Sequence, residues 1–180
     1  MRPFVVCAIS LLCSGCVGHG QDAHEPGDRL GTFHATGTLT SDTCQAPLLG
    51  VTNSWAFDVK LSREADTLYW LNGEEAIPGS IAKDGTTFDF QSGVEVTLQA
   101  AQGAQPGCVM ARTDTANGVL GSSTTDVATF RVDMSFRYAV EAGSQCANWV
   151  GVQGGFVSLP CTVSYSLTAK RTALPTPVDD

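Results

Sequence analysis

Positive charge is scarce in this chain. Its 180 residues include three lysines and ten basic residues in all, against 18 acidic ones, for a formal net charge of −8. Nucleic acid binds a basic face that neutralises its phosphates, so this balance argues against nucleic acid as a partner. Long apolar runs are also lacking. No stretch approaches the ~20 residues that a helix needs to cross a bilayer core. Histidine is rarer still. His19, His24 and His34 are the only three, all near the N-terminus. Acyl-transfer triads and cysteine–histidine pairs both need a histidine, and no G-x-S-x-G presents a serine. Hydrolase chemistry would therefore have to run through His34, the one histidine inside a candidate strand.

Metal and phosphate motifs are missing too. The one C-x-x-C, Cys13-Ser14-Gly15-Cys16, falls where the N-terminal apolar run ends, and the closely spaced His19 and His24 lie in a polar, aperiodic stretch where they read as solvated, so a zinc site is not expected. Asp84-Gly85-Thr86-Thr87-Phe88-Asp89 offers two acids without the fuller calcium ladder, and reads as a hairpin turn. Gly151-Val152-Gln153-Gly154-Gly155 has no lysine and no following helix, so it is a connection and not a phosphate cradle. No metal and no cofactor is expected. Disorder is not expected either, because only 16% of residues are charged while 43% are hydrophobic.

The N-terminus is an address. Met1-Arg2-Pro3 supplies one positive charge, and Phe4 to Cys13 is an uncharged apolar run with the length of a signal-peptide core. Ser14-Gly15-Cys16 then places two small residues before a cysteine, the pattern of a bacterial lipobox, with Cys13 where an aliphatic residue is usual. Residues 1–15 are read as a lipoprotein signal and Cys16 as the thiol that receives diacylglycerol. Plain secretion is the alternative. Each buried lipid CH₂ contributes about 0.8 kcal/mol, so two or three chains hold a soluble domain durably at a membrane. Val17, and no aspartate, follows the cysteine, and by resemblance to enterobacterial lipoprotein sorting this implies an outer-membrane location, with a secreted or periplasmic one as the alternative. Residues 16–31 are polar and aperiodic and read as a lipidated tether. Residues 172–180 read as a loose tail.

Seven cysteines become four once Cys7 and Cys13 leave with the signal and Cys16 takes lipid. Cys44, Cys108, Cys146 and Cys161 remain, and an even number in an exported chain reads as two disulfides. Four cysteines allow three pairings. Cys146 and Cys161 flank the connection between two strong strands, which favours Cys146–Cys161 and leaves Cys44–Cys108.

Residues 32–171 read as a single β domain. Phe33, Ala35, Gly37 and Leu39 alternate with polar neighbours, as do Trp55, Phe57, Val59 and Leu61, and Val94, Val96 and Leu98. The clearest runs are Phe130 to Val140 and Val157 to Ala169. Such alternation places apolar side chains on one face of an antiparallel sheet. Weaker strands are expected at Thr67–Leu71, Ala76–Ala82, Thr86–Gln91, Cys108–Thr113 and Asn117–Leu120. Turn signals fall at Asn72-Gly73, Pro78-Gly79, Asp84-Gly85, Ser92-Gly93, Pro106-Gly107, Asn117-Gly118 and Ala142-Gly143. No helical periodicity competes. The expectation is an all-β, disulfide-stapled antiparallel sandwich or small up-and-down barrel of roughly eight to ten strands.

LLCSGC, the strand ending TLTSDTC (Thr38–Cys44) and the C-terminal SQC…LPCTVSYSL (Ser144–Leu167) together resemble small predicted lipoproteins of myxobacteria and related bacteria. That resemblance implies an envelope location and a disulfide-bonded β fold, and it carries over no catalytic residue. Asp58, Asp89, Glu95 and Asp133 fall on polar faces of strands, where charge is ordinary. Trp149 and Tyr69 are the candidates for a surface contact; Trp55, in phase with Phe57, belongs to the core. The expected role is non-enzymatic: an exported, lipid-anchored envelope protein that is structural or binds a partner, with the membrane reached through Cys16. One alternative is a lipocalin-like barrel holding a small hydrophobic ligand. It would need a cavity of about 300–1,000 Å³ where a sandwich would pack Phe57, Phe88, Phe90, Phe130, Phe136 and Phe156. An envelope hydrolase acting through His34 is the second alternative.

Overall fold

Alternation of apolar and polar residues along successive strands resolves into one curled sheet. The structure, a computed structural model, describes residues 25–73, 75–104, 106–122, 126–151 and 155–174. Cys16, the signal at 1–15, the first part of the tether and the end of the tail lie outside the described residues. The strands are β1 (Asp28–Asp42), β2 (Ser54–Glu64), β3 (Thr67–Leu71), β4 (Ile77–Ile81), β5 (Thr87–Gln99), β6 (Cys108–Ser122), β7 (Val127–Val140) and β8 (Cys161–Ala173). Each pairs antiparallel with the next, and β8 returns to β1, giving a closed up-and-down barrel. Barrel closure, and not a sandwich, is how this sheet removes its long edges.

The period-two runs point inward over much of their length, although Val94 and Val140, read on the same dry face, are exposed. Phe33, Ala35, Val59, Leu61, Phe130, Val132, Val163, Leu167 and Ala169 are all buried. Three boundaries differ from expectation. β1 begins at Asp28, inside the stretch read as tether, and Leu30 is already buried. Glu25 explains the early start, because its carboxylate bridges Arg29 and Lys60 at 2.8 Å each and ties the incoming chain to β2. At the other end, β8 starts at Cys161 and not at Val157, which is exposed.

The third difference is that three glycine signals read as turns lie inside strands, Pro78-Gly79 in β4 among them. Ser92-Gly93 is continuous β5 and Asn117-Gly118 is continuous β6. At Gly118 the reason is packing. A Cβ there would collide with the Phe88 ring and with the Arg131 carbonyl, so glycine is the socket for Phe88 across the strand pair. Gly79, in β4, similarly clears space for Phe90.

The barrel has two unlike ends. The β2–β3, β4–β5 and β6–β7 connections lie at one end, with the start of β1 and the finish of β8. This end is solid. Phe33, Leu61, Leu68, Phe88 and Phe130 are at most 1% exposed there. Phe130 is the hub, in edge contact with Phe33 at 5.3 Å, Trp70 at 5.7 Å and Phe88 at 6.2 Å. The other end carries the β1–β2, β3–β4, β5–β6 and β7–β8 connections.

That second end is stapled by both disulfides, but with pairings other than those favoured from sequence. Cys44 bonds Cys161 and Cys108 bonds Cys146. Closure explains the correction. β1 and β8 are neighbours, so the end of β1 meets the start of β8, with Cα atoms 4.9 Å apart. Sequence adjacency had suggested Cys146–Cys161, but the β7–β8 connection folds back over the start of β6, and Gln145 N–H donates to the Gly107 carbonyl beside Cys108. Phe156, fully buried, plugs the loop between the two staples and lies 6.0 Å from the Tyr138 ring.

Candidate functional site

Above the solid floor the barrel is hollow. β3 and β4 span five residues each, against 13 in β5 and 15 in β6. β4 pairs with β5 only at residues 88–90, and β3 pairs with β2 only at residues 60–64. Among the described residues, the upper parts of β5 and β2 therefore lack a ladder on that side, and the wall is notched above the β3–β4 hairpin. A cavity of about 530 Å³ occupies the upper barrel, with Asn72, Ile77 and Ser92 lining it at the notch and Leu49 to Thr52 at the stapled end.

Six aromatic side chains, Trp55, Trp70, Phe90, Phe136, Tyr138 and Tyr165, give the lining its bulk. Trp70 and Phe90 form the base at 5.7 Å from each other. Higher up, Trp55 lies 6.2 Å from Phe136 and 5.9 Å from Tyr165. Trp55 also stacks on Phe57 at 4.4 Å. Met134 and Val163 fill the spaces between. The Tyr165 hydroxyl donates to the Thr52 carbonyl at 3.0 Å, which holds the β1–β2 loop against the cavity. The phenylalanines expected to fill a sandwich thus divide their work: Phe88, Phe130 and Phe156 are buried in floor and cap, whereas Phe136 is half-buried on the cavity wall.

One charged pair stands beside these aromatic walls. Arg112 and Asp114 of β6 share the inward face with Met110 and Ala116, because residues two apart on a strand point the same way. The carboxylate accepts two hydrogen bonds from the guanidinium, from Nε at 2.8 Å and from Nη2 at 2.6 Å. This planar fork is the strong arrangement of an arginine–carboxylate pair. The guanidinium also lies over the Phe136 ring, 5.7 Å from its centre. The hydrogen bond to Asp114 raises the Arg112 pKa above its ordinary value, against the opposing cost of burial. Burial raises the Tyr138 pKa, so its phenol stays neutral across the physiological range.

Sequence reasoning passed over Arg112 and Asp114. The signal that could have found them was parity: both are in phase with Met110 and Ala116, so opposite charges occur at two consecutive inward positions. Trp149 and Tyr69 lie elsewhere. Trp149 packs against the core in the short 3-10 turn after Cys146, and its Nε1 is buried with no hydrogen-bond partner among the described residues. Tyr69 is half-buried on the outer wall, its hydroxyl 3.4 Å from Glu64. Trp55, read as core, is a cavity wall residue. His34 is on the outer wall, where its Nδ1 lies 2.8 Å from the Asp58 carboxylate across the β1–β2 pair, both side chains more than half exposed. Asp84 closes the β4–β5 hairpin by accepting from the Thr86 and Thr87 backbone N–H groups and from the Thr87 hydroxyl. Those bonds, the hydroxyl first, lower its pKa to about 2. Among the described residues no group of three or more potential ligands gathers for a metal ion, and no helix is long and apolar enough to cross a membrane.

Comparison with known families, curated proteins and solved structures finds no match to this chain.

Proposed function

We propose that this is a non-enzymatic binding module of the cell envelope, anchored by lipid on Cys16, whose barrel takes a small hydrophobic ligand. The observation that carries the reading is the aromatic-lined cavity of about 530 Å³ above a filled floor. An eight-stranded barrel is wide enough either to be filled by its own side chains or to hold one small ligand. This one does the first at one end and the second at the other. A volume of that size, with aromatic side chains beside convergent polar groups, matches the general character of a small-molecule site. The two disulfides fit an oxidising compartment. The anchor rests on the Ser14-Gly15-Cys16 junction.

The test is a titration of the purified mature domain with the uncharged dye N-phenylnaphthylamine. Saturable, one-to-one fluorescence enhancement is expected. Ala116 sits at the cavity base and is 5% exposed. Ala116→Phe should fill the space and weaken dye binding by at least about tenfold, a change of about 1.4 kcal/mol, with an unchanged sheet spectrum. Absence of saturable binding to the wild type, or equal binding by the variant, would reject the reading. The anchor has its own measurement: Cys16→Ser should abolish acylation by mass spectrometry of the expressed protein.

A further inference from the structure

We infer that the ligand is a neutral amphiphile whose head both donates and accepts a hydrogen bond, the head lying at Arg112 and Asp114 and the apolar body between Trp70, Phe90, Met134 and Trp55. The inference rests on the cavity being a binding site and concerns what that site selects.

Arg112 and Asp114 line the cavity together and neutralise each other through two short hydrogen bonds. Their side chains are 36% and 19% exposed, so neither is fully wet nor fully enclosed. An anionic head brought to this pair would meet Asp114 as well as Arg112. A cationic head would meet Arg112 as well as Asp114. Either leaves one uncompensated charge among aromatic walls, where desolvation is costly. A wholly apolar ligand would cover the guanidinium's remaining N–H groups and the carboxylate's remaining lone pairs without replacing their water. A hydroxyl or amide head does neither harm: it accepts from Arg112 and donates to Asp114. Ser92, paired across from Asp114 on β5, and Asn72 at the notch supply further neutral polar atoms beside that position. The apolar and polar parts of the lining thus lie where the two parts of one amphiphile would lie.

The experiment compares ligands that share an alkyl chain and differ in the head. N-phenylnaphthylamine is displaced from the wild-type protein by decanol and by methyl decyl ether, each below its aggregation threshold. The ether is the more apolar and accepts but cannot donate, so simple partitioning into a greasy cavity favours the ether. Decanol is expected to displace the dye at a concentration at least about fivefold lower, and the joint variant Arg112→Ala with Asp114→Ala should restore the ether's advantage. Should that variant fail to fold, single conservative changes read the same pair. Asp114→Asn should improve displacement by decanoate, and Arg112→Gln displacement by decylamine, each by about tenfold relative to decanol. An ether as effective as decanol on the wild type, or single variants with no such shifts, would overturn the inference while leaving the cavity a binding site. Failure of the dye to bind at all would reject the binding site itself.

Discussion

Removing the Cys44–Cys161 bond should cost more stability than removing Cys108–Cys146, although both lie at the same end of the barrel. The two bonds close loops of very different length, with sequence separations of 117 and 38 residues. If cross-linking acts mainly on the unfolded ensemble, the loop-closure relation gives about 4.9 kcal/mol for the longer loop and about 3.9 kcal/mol for the shorter. All four cysteines are at most 4% exposed, so alanine replacement leaves a similar small void at either site and the difference between the two pairs survives. For a domain of this size 1 kcal/mol corresponds to roughly 2–4 °C in Tm. The variant Cys44→Ala with Cys161→Ala should therefore melt roughly 10–20 °C below wild type, and Cys108→Ala with Cys146→Ala a few degrees above that. Urea midpoints of both variants, read by far-UV circular dichroism, measure the order. A larger loss from the shorter loop would refute the entropic reasoning. Peptide mapping that recovered Cys44–Cys108 and Cys146–Cys161 would refute the pairing itself, and free thiols in denatured mature protein would refute the oxidation of all four.

Other outcomes follow from single positions. Gly118→Ala should destabilise by about 1–3 kcal/mol, because the new methyl meets the Phe88 ring and the Arg131 carbonyl; Gly93→Ala, whose Cβ would have only the Arg112 carbonyl at 3.8 Å, should leave the urea midpoint nearly unchanged. Asp114→Ala strands Arg112 in the cavity and should cost about 1 kcal/mol, discounted for the guanidinium's partial exposure, and adding Arg112→Ala should recover part of that loss in a double-mutant cycle. Asp84 has a folded pKa of about 2 against an ordinary 3.8, so its contribution is complete above the ordinary value and fades as pH falls toward 2. Chemical denaturation of wild type and Asp84→Ala should therefore give midpoints that differ at neutral pH and converge near pH 2.

Much of the wall was legible in the sequence. Runs such as Phe130 to Val140 alternate cleanly because one face is wet and the other dry, and that contrast is written residue by residue. Pairing between distant strands is not written that way. Whether Cys44 meets Cys108 or Cys161 depends on closure of β8 onto β1, a global property that local spacing does not carry. Gly93 and Gly118 misled for a related reason: glycine marks either a turn or a close approach, and only the Phe88 ring packed against Gly118 distinguishes the second. The site was hidden because charge in a strand reads as an outward face. Arg112 and Asp114 break that rule together, and each makes the other's inward position tolerable.

Both ends of the folded chain, at Asp28 and Ala173, leave the barrel beside its solid floor, on the side away from Arg112 and the notch. A reporter protein, a biotin or a solid support joined directly at either of those two residues would accordingly sit against the floor and leave the notch facing free solution. The same orientation makes the domain suited to immobilised binding assays.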